Sequence, residues 1–240
     1  MKNKIISWIK DQVKDSGAKG IVLGLSGGID SAVVCALAKK AVGKRKVLGL
    51  FLPCHSHSQD LKDALLIAKR LGIKTKRIDL SAAYDKLLKA LPSSNKLASA
   101  NLRPRLRMLT LYFFANKFNY LVCGTGNKSE LMAGYFTKYG DGGVDILPIA
   151  DLYKKDVRRL AKELGVPQEI INKPPTAGLW PGQTDEGEMG ITYSELDDIL
   201  ERMEHKKKQV ASVLMVKKVK KMIQRSEHKR RLAKICYIKK

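Results

Sequence analysis

Residues 24–31, Gly-Leu-Ser-Gly-Gly-Ile-Asp-Ser, combine the residue types that hold a phosphate group. The adjacent Gly27 and Gly28 let the backbone approach an anion closely, and the serine hydroxyls can donate hydrogen bonds to it. Asp30 is the exception, because a carboxylate beside phosphates repels them unless a cation lies between the two. The pattern therefore predicts a phosphate-bearing ligand held together with Mg²⁺, which prefers one or two carboxylates plus phosphate oxygens.

The segments on either side of this loop indicate a strand before it and a helix after it. Residues 21–25 are an apolar run typical of a buried strand, and residues 32–41 are rich in alanine and favour a helix. A helix N-terminus that follows a glycine turn offers free amide groups and a positive dipole end to an anion. The alternative is an ordinary turn capped by serine and aspartate. Neither a Walker A pattern nor Gly-x-Gly-x-x-Gly occurs in the loop.

The rest of the chain alternates between strand-like and helix-like segments. Apolar runs at 46–52 and 119–123 predict two more strands, and the segment 74–80, which lies between two helix-like segments, is predicted as another. This alternation is typical of a parallel sheet with helices on both faces. A chain of 240 residues can bury one sizeable core, so we expect a single domain over residues 1–240. Helices are predicted at 2–16, 59–71, 81–91, 97–118, 153–164, 192–204 and 206–225.

A second candidate loop, Gly-Thr-Gly-Asn-Lys-Ser-Glu at 124–130, follows the fourth predicted strand. Ligands of open parallel sheets bind at the carboxyl ends of the strands, so the two loops can share one crevice. We expect Thr125 to bind the nucleotide and Glu130 to join Asp30 around Mg²⁺. The alternative role for Glu130 is that of an acid favoured by a helix N-terminus.

The composition limits the class of protein. The formal net charge is +23, and residues 205–240 hold 14 Lys/Arg and one acid. This basic tail is compatible with nucleic-acid binding, but no aromatic residues interleave with the charges, so we favour anionic small molecules as partners. The four cysteines form no Cys-x-x-Cys pair, and no apolar run is long enough to span a membrane. We therefore expect a cytoplasmic protein with reduced thiols.

Three other features allow more than one interpretation. The predicted apolar helix at 97–118 contains Pro104, so the helix either starts at this proline or kinks at it. The apolar face of the helix packs either on the sheet or against a second copy of the chain. The run Cys-His-Ser-His at 54–57 has metal-binding residue types, although a rim of the nucleotide crevice is the favoured interpretation. The Pro/Gly-rich segment 173–190 is too long for a mere connector, and within it Trp180 stacks on a base or anchors the loop.

Residues 26–31 resemble the pyrophosphate loop of the N-type ATP pyrophosphatases, which cleave ATP between its α- and β-phosphates. Four further motifs resemble the NAD⁺ synthetase family within that superfamily, and the resemblance extends from residue 20 to residue 230. The motifs are Gly-Tyr-Phe-Thr-Lys-Tyr-Gly-Asp-Gly-Gly-Val-Asp-Ile-Leu-Pro at 134–148, Lys-Pro-Pro-Thr-Ala-Gly-Leu-Trp at 173–180, Gln-Thr-Asp-Glu at 183–186 and Glu-His-Lys-Arg at 227–230.

The resemblance implies a fold, a reaction and partners. The fold is a doubly wound parallel α/β sheet of the adenine nucleotide alpha hydrolase type, with extra C-terminal helices. The reaction is the ATP- and Mg²⁺-dependent amidation of deamido-NAD⁺ through an acyl-adenylate, giving NAD⁺, AMP and pyrophosphate, with no protein nucleophile. Family members that use glutamine carry a long amidase domain, so we expect free ammonia as the nitrogen donor. The family is usually a homodimer whose interface helps to form the dinucleotide site.

The resemblance also assigns ligands to residues of this chain. Asp30 and Glu130 match the Mg²⁺ carboxylates. Lys154 matches an ATP contact, although a solvent-exposed helix lysine is the plainer interpretation of that residue alone. The matched ATP positions are Gly24, Leu25, Ser26, Gly27, Gly28, Ile29, Asp30, Ser31, Thr125, Lys154 and Thr176, and the matched deamido-NAD⁺ positions are Arg105, Lys138, Asp145, His228 and Lys229.

Two departures from the family pattern and two rival functions remain. Residues 101–105 read Asn-Leu-Arg-Pro-Arg where the family commonly has Asn-x-Lys-Ala-Arg, so Pro104 can displace Arg105. The tail also lacks the usual proline soon after His-Lys-Arg.

The rival functions are tRNA modification, which the positive charge favours and the absence of paired cysteines opposes, and a nucleotide-binding sensor without turnover.

Overall fold

A parallel sheet of four strands lies at the centre of the structure. The strands are β1 (Gly20–Gly24), β2 (Val47–Phe51), β3 (Lys74–Arg77) and β4 (Tyr120–Val122). Their order is β3-β2-β1-β4, and every neighbouring pair is parallel, as the alternation of segments predicts. The chain therefore winds outward from β1 in both directions, and the carboxyl ends of β1 and β4 lie side by side.

Helices surround this sheet. The structure is a computed structural model that describes residues 1–93, 95–178, 180 and 182–238; Leu179 of the 173–180 motif and the last two residues of the basic tail lie outside this part. Its α-helices are α1 (Lys2–Asp15), α2 (Ile29–Val42), α3 (Ser58–Leu71), α4 (Ser81–Ala90), α5 (Lys96–Ala100), α6 (Leu102–Phe118), α7 (Lys128–Ala133), α8 (Lys154–Glu163), α9 (Gln168–Asn172), α10 (Asp185–Met189), α11 (Tyr193–Glu204) and α12 (Val213–Ser226).

The two faces of the sheet carry separate apolar cores because successive strand residues point to opposite sides. Ile21 and Leu23 of β1 belong to the core that α1, α2, α3 and α8 cover. Val22, between them, belongs to the opposite core with residues of α4 and α6. Helices on both faces confirm the predicted doubly wound α/β fold. No helix of the described residues has the length and apolar character needed to cross a bilayer.

The C-terminal helices form a third apolar cluster beside the sheet. Leu196 and Ile199 of α11 are fully buried in this cluster, where they pack with residues of α7 and α12. Helix α11 also contacts α8. The cluster therefore fixes the N-termini of α7 and α8 relative to each other, which matters for the site below.

Three predicted boundaries are wrong. The third strand ends at Arg77 rather than at residue 80, because Asp79 accepts the backbone N–H of Ser81 at 3.0 Å and the chain turns into α4. The last helix begins at Val213 rather than at 206, where Ser212 caps it by accepting the N–H of Met215 at 3.3 Å. The segment 97–118 is two helices that meet at Asn101.

Pro104 lies in the first turn of α6. The first N–H groups of a helix have no partner within it, so a proline there removes no hydrogen bond. The helix therefore starts at Leu102 and the proline is accommodated without a break. Of the two predicted alternatives, a helix that starts near Pro104 and a helix that kinks at Pro104, the structure shows the first.

Gly134 lies where the end of α7 meets α12. It ends α7 in the left-handed conformation with φ of 73°, and a Cβ added there would overlap the Cβ of Ser226 on α12. Gly134 therefore satisfies two constraints, one on backbone conformation and one on the close approach of α12.

We expect Gly134→Ala to lower the free energy of unfolding by about 3 kcal/mol, combining left-handed strain with overpacking. Gly17→Ala is the matched control, because Gly17 has φ of +66° but no atom within 4 Å of an added Cβ. The control should cost only about 1 kcal/mol. Urea denaturation of both variants measures the difference, and equal losses would mean that contact with Ser226 contributes nothing.

Candidate active site

A cleft of about 850 Å³ opens at the carboxyl edge of the sheet. The loops that follow β1, β2 and β4 line it, together with segments near 134–144 and 173–188. Its volume suits a nucleotide-sized ligand. The cleft lies where strand order reverses, between the loops after β1 and β4, which is the expected ligand position in an open α/β sheet.

The loop at 24–31 is held in shape by its own side chains. Ser26 Oγ accepts the N–H of Gly28 at 3.2 Å, and Ser31 Oγ donates to the carbonyl of Gly28 at 2.9 Å. Gly27 has φ of 81°, and an added Cβ would lie 2.5 Å from the carbonyl oxygen of Asp60. The predicted ATP residues that line the cleft are Gly24, Leu25, Ser26, Gly28, Ile29, Asp30, Ser31, Thr125, Lys154 and Thr176.

Three ionisable side chains from distant parts of the sequence meet beside this loop. Lys154 Nζ lies 2.6 Å from Asp30 Oδ2 and 3.2 Å from Glu130 Oε1. The Lys154 side chain is 3% exposed, and each carboxylate side chain is 17% exposed. The plain interpretation of Lys154 as a solvent-exposed lysine is therefore wrong. We refer to Asp30, Glu130 and Lys154 as the ionic cluster.

Burial and mutual charge shift the pKa values in the ionic cluster. Burial raises the pKa of Glu130, although the positive charge of Lys154 acts in the opposite direction. Burial alone would lower the pKa of Lys154, but the charges of Asp30 and Glu130 outweigh burial and raise it. Lys154 therefore stays protonated and holds the two carboxylates close together.

Asn127 completes the cluster, and the sequence analysis did not identify it. Its amide donates to Asp30 Oδ1 at 2.9 Å. It also caps α7 in a reciprocal capping box, accepting the N–H of Glu130 while its own N–H donates to Glu130 Oε2. The sequence signal was present as Asn followed three residues later by Glu, a typical helix start. Glu130 is therefore both the helix-terminal acid and a member of the site.

A second chain of hydrogen bonds fixes the backbone at Lys154. Asp197 of α11 accepts Ser129 Oγ at 2.5 Å and the backbone N–H of Lys155 at 3.0 Å. Ser129 Oγ in turn accepts the backbone N–H of Lys154 at 3.0 Å. This chain links the N-termini of α7 and α8 through one buried carboxylate. Sequence reasoning also missed Asp197, because an acid in the middle of an amphipathic helix gives no sign of burial.

Four of the five predicted dinucleotide residues gather around residues 134–138. Lys138 Nζ donates to the carbonyl of His228 at 2.7 Å, and Arg105 donates to the carbonyl of Lys138 at 3.4 Å. Lys229 Nζ donates to the carbonyls of Gly134 and Phe136 at 2.8 and 2.9 Å. Lys229 lines the cleft. Pro104 therefore does not carry Arg105 away from the other residues of this group.

Asp145, the fifth residue, lies apart from this group. Its Oδ2 accepts the N–H of Val122 at 2.7 Å and its Oδ1 accepts the hydroxyl of Tyr112 at 2.9 Å. Both contacts tie the segment after residue 143 to the end of β4 and to α6. In this structure Asp145 has a structural role at the end of the sheet.

The run at 54–57 rims the cleft, as favoured from the sequence. His55 and His57 line the cleft, while Cys54 is buried. His55 Nε2 lies 2.8 Å from Asp85 Oδ1. In the part of the chain that the structure describes, no group of three or more His, Cys, Asp or Glu side chains is arranged to hold a metal ion by itself.

Comparison with known proteins identifies the family. The sequence profile of the NAD synthase family matches residues 1–233. The chain belongs to the NAD synthase family. It is similar to the NH₃-dependent NAD⁺ synthetase of Carboxydothermus hydrogenoformans, 47% identical over 237 residues that cover 97% of this chain and 95% of the relative. It is likewise 48% identical to that of Archaeoglobus fulgidus over 238 residues, covering 98% of this chain and 96% of the relative.

Solved structures agree with the family assignment. The NMN synthetase of Francisella tularensis superposes with a TM-score of 0.91 at 41% identity, covering 98% of this chain and 96% of that one. The NH₃-dependent NAD synthetase of Campylobacter jejuni, in complex with nitrate, superposes with a TM-score of 0.86 at 31% identity, covering 98% and 97%. This NAD synthase family member therefore shares both sequence and fold with solved structures named NMN synthetase and NH₃-dependent NAD synthetase.

We expect Lys154→Met to lower the free energy of unfolding by about 3 kcal/mol, because it leaves two buried carboxylates without their ammonium partner. The adjacent Lys155→Met is the matched control. The Lys155 side chain is 50% exposed and pairs with Glu201, so that loss should stay below about 1 kcal/mol. Equal losses in urea denaturation would show that the ionic cluster does not contribute to stability.

Proposed function

We propose that this chain amidates deamido-NAD⁺ with ammonia, using ATP and Mg²⁺, and releases NAD⁺, AMP and pyrophosphate. The observation that carries the proposal is the ionic cluster beside a preformed phosphate loop. The backbone amides of the loop can donate hydrogen bonds to phosphates. The buried ammonium of Lys154, between two carboxylates, can stabilise negative charge that develops near those phosphates. The similarity to relatives named NH₃-dependent NAD⁺ synthetase, over nearly the whole chain, supports the same reaction.

The chemical problem is the approach of two anions. The substrate carboxylate must attack the α-phosphate of ATP to form an acyl-adenylate and release pyrophosphate. The amides of the 24–31 loop and the ammonium of Lys154 lower the repulsion between them. Ammonia then attacks the activated carbonyl carbon and AMP leaves. No protein nucleophile is needed, so the chain acts by positioning and by charge.

The residues at the cluster fit Mg²⁺. Asp30 and Glu130 supply hard carboxylate oxygens on the wall of the cleft, and Mg²⁺ is usually held by one or two carboxylates with phosphate oxygens and water. When bound, Mg²⁺ would supply positive charge to the phosphate oxygens.

The remaining site assignments are part of this proposal. Residues 24–31 with Thr125, Lys154 and Thr176 bind ATP. The group around residues 134–138 binds deamido-NAD⁺, supported by the way Lys138, His228 and Lys229 converge there. Asp145 is retained as a dinucleotide residue on the family match alone. We also propose a cytoplasmic location, supported by free thiols at all four cysteines.

A homodimer is the proposed assembly. Leu109 and Phe113, one turn apart on α6, are 60% and 59% exposed, which is unusual for large apolar side chains. The same helix carries Arg105 in its first turn. An interface on this face would place a second subunit next to the proposed dinucleotide residues, in agreement with the family pattern.

We expect Phe113→Glu to convert the protein to a monomer, because the new carboxylate would be buried without a partner in the interface. Leu65→Glu is the matched control, since Leu65 is 49% exposed on α3 away from this face. Sedimentation equilibrium measures the mass of both variants. A wild-type monomer, or a Phe113→Glu dimer, would contradict an interface on α6.

The substrate can be tested directly. Pyrophosphate release from the purified protein should require ATP, Mg²⁺, ammonium and deamido-NAD⁺ together, with NAD⁺ as the product. Release that requires tRNA instead would assign the chain to the RNA-modifying relatives of the superfamily. ATP binding without turnover in any mixture would indicate a nucleotide sensor.

A second candidate substrate is the corresponding mononucleotide. The favouring observation is the TM-score of 0.91 with a protein named NMN synthetase. The two candidates use the same chemistry and differ in whether an adenylate group occupies the region around residues 134–138. The ratio of kcat/KM for deamido-NAD⁺ and for nicotinic acid mononucleotide decides between them, and a ratio below one would replace the proposed substrate.

We expect Asp30→Asn to reduce kcat at least about a hundredfold, which is about 3 kcal/mol of transition-state stabilisation. The reason is the loss of the carboxylate that both Lys154 and the metal require. Asp11→Asn, an exposed acid on α1, is the matched control and should leave kcat unchanged. A near-normal kcat in Asp30→Asn would remove Asp30 from the metal site.

A further inference from the structure

Arg107 on α6 lines the cleft, but the reaction as described gives it no role. The side chains of α6 that line the cleft are Pro104, Arg107, Met108 and Leu111, whose spacing of three and four residues marks one face of the helix. Within α6, all of which the structure describes, Arg107 is the one charged residue on this face. A single charged group on the mostly apolar wall of a ligand cleft is typical of a contact that orients the ligand.

The guanidinium of Arg107 uses only one of its edges within the protein. Nε donates to the carbonyl of Leu52 at 3.0 Å, and Nη2 donates to Ser56 Oγ at 3.3 Å. A guanidinium carries five N–H donors in a rigid fork, so these two bonds leave the other donors unused. In the described part of the chain Nη1 has no hydrogen-bond partner, and it is not shut off from solvent. The edge formed by Nη1 and Nη2 is therefore available to a ligand.

The positive charge of Arg107 also lacks an acidic partner. Among the described residues, no carboxylate forms an ion pair with it. Burial lowers the pKa of Arg107, and the negative charges of Asp141 and Asp60 oppose this shift only in part. The guanidinium nevertheless stays protonated at neutral pH. A half-buried charge without a partner is unfavourable, so an anion bound to the available edge would be stabilised by it.

Arg107 lies between the two halves of the proposed site. Its bonds to Leu52 and Ser56 fix it against the loop that follows β2, the strand next to β1 and its phosphate loop. On the other side, the adjacent Met108 reaches the segment that follows the proposed dinucleotide residues, since its Cγ lies 3.1 Å from the position of a Cβ added to Gly143. In the proposed reaction, the substrate carboxylate must meet the α-phosphate of ATP between these two halves.

The geometry points to the Nη1/Nη2 edge of Arg107 as the binding site for an oxyanion of the reacting substrates, an inference that rests on the proposed amidation. Two substrate groups have this chemistry, the α-phosphate of ATP and the carboxylate of deamido-NAD⁺. Each presents two oxygens that a guanidinium edge can bind side by side. A guanidinium bound to either group lowers the repulsion between them as the carboxylate attacks, so Arg107 is a substrate-binding residue at the reacting centre.

Two pairs of ligands test this contact by isothermal titration calorimetry. AMP and adenosine differ only in the phosphate group, and deamido-NAD⁺ and NAD⁺ differ in a carboxylate against an uncharged amide. In Arg107→Met, the affinity for AMP, for deamido-NAD⁺ or for both should fall about tenfold or more, the effect of lost charge-assisted hydrogen bonds. The affinities for adenosine and NAD⁺ should stay within about threefold of wild type, which also shows that the variant folds. The pair that responds identifies the bound oxyanion.

Arg103→Met is the matched control, because Arg103 lies one turn earlier on α6 but packs over the Tyr84 ring, outside the cleft lining. It should bind all four ligands as wild type does. Arg107→Lys keeps the charge without the fork, decides the test if Arg107→Met does not fold, and should show a smaller selective loss of about threefold. Equal losses within both pairs, no loss in either Arg107 variant, or the same selective loss in Arg103→Met would overturn the oxyanion site. Wild-type protein that binds neither AMP nor deamido-NAD⁺ would instead overturn the proposed function.

Discussion

Two carboxylates, Asp30 and Glu130, are held against one buried ammonium, and much of the structure serves to keep them there. Removing a charged group from water costs several kcal/mol, so such a cluster persists only when close geometry and further hydrogen bonds compensate. Lys154 contributes the charge, and Asn127 adds a donor to each carboxylate. The third apolar cluster and the buried Asp197 fix the helices that carry these side chains.

The distribution of charge has two levels that act at different distances. The chain as a whole carries +23, which attracts anionic substrates from solution over distances of up to about one Debye length. The centre of the cleft is locally acidic, because Asp30, Glu130 and Asp185 line it. A basic exterior therefore suits the capture of nucleotides, while the acidic interior suits the cations that their chemistry requires.

Local parts of this site could be predicted from the sequence, and long-range parts could not. The strand, glycine loop and helix at residues 20–42 follow from propensities of adjacent residues, and the structure agrees with them. Glu130 was assigned from its place in the loop after the fourth strand, whereas Lys154 was assigned only through motif resemblance, because the position does not show burial by itself. Asn127 and Asp197 were missed because their partners Asp30 and Ser129 are distant in sequence. The end of the third strand was misplaced because the side chain of Asp79 accepts the N–H of Ser81 and the chain turns there into α4.

The separation of the cluster members along the chain also has a consequence for folding. Asp30 accepts hydrogen bonds from Asn127 and Lys154, which lie 97 and 124 residues further along the chain. The contacts that define the site therefore have high sequence separation. Contacts of this kind form late, because closing a long loop costs entropy before any contact compensates for it. During synthesis, the phosphate loop emerges from the ribosome long before the lysine that neutralises its carboxylate. The nascent N-terminal half therefore has β1, β2, β3 and the phosphate loop but an incomplete charge balance, and the site is assembled only when β4 pairs with β1 and α8 docks.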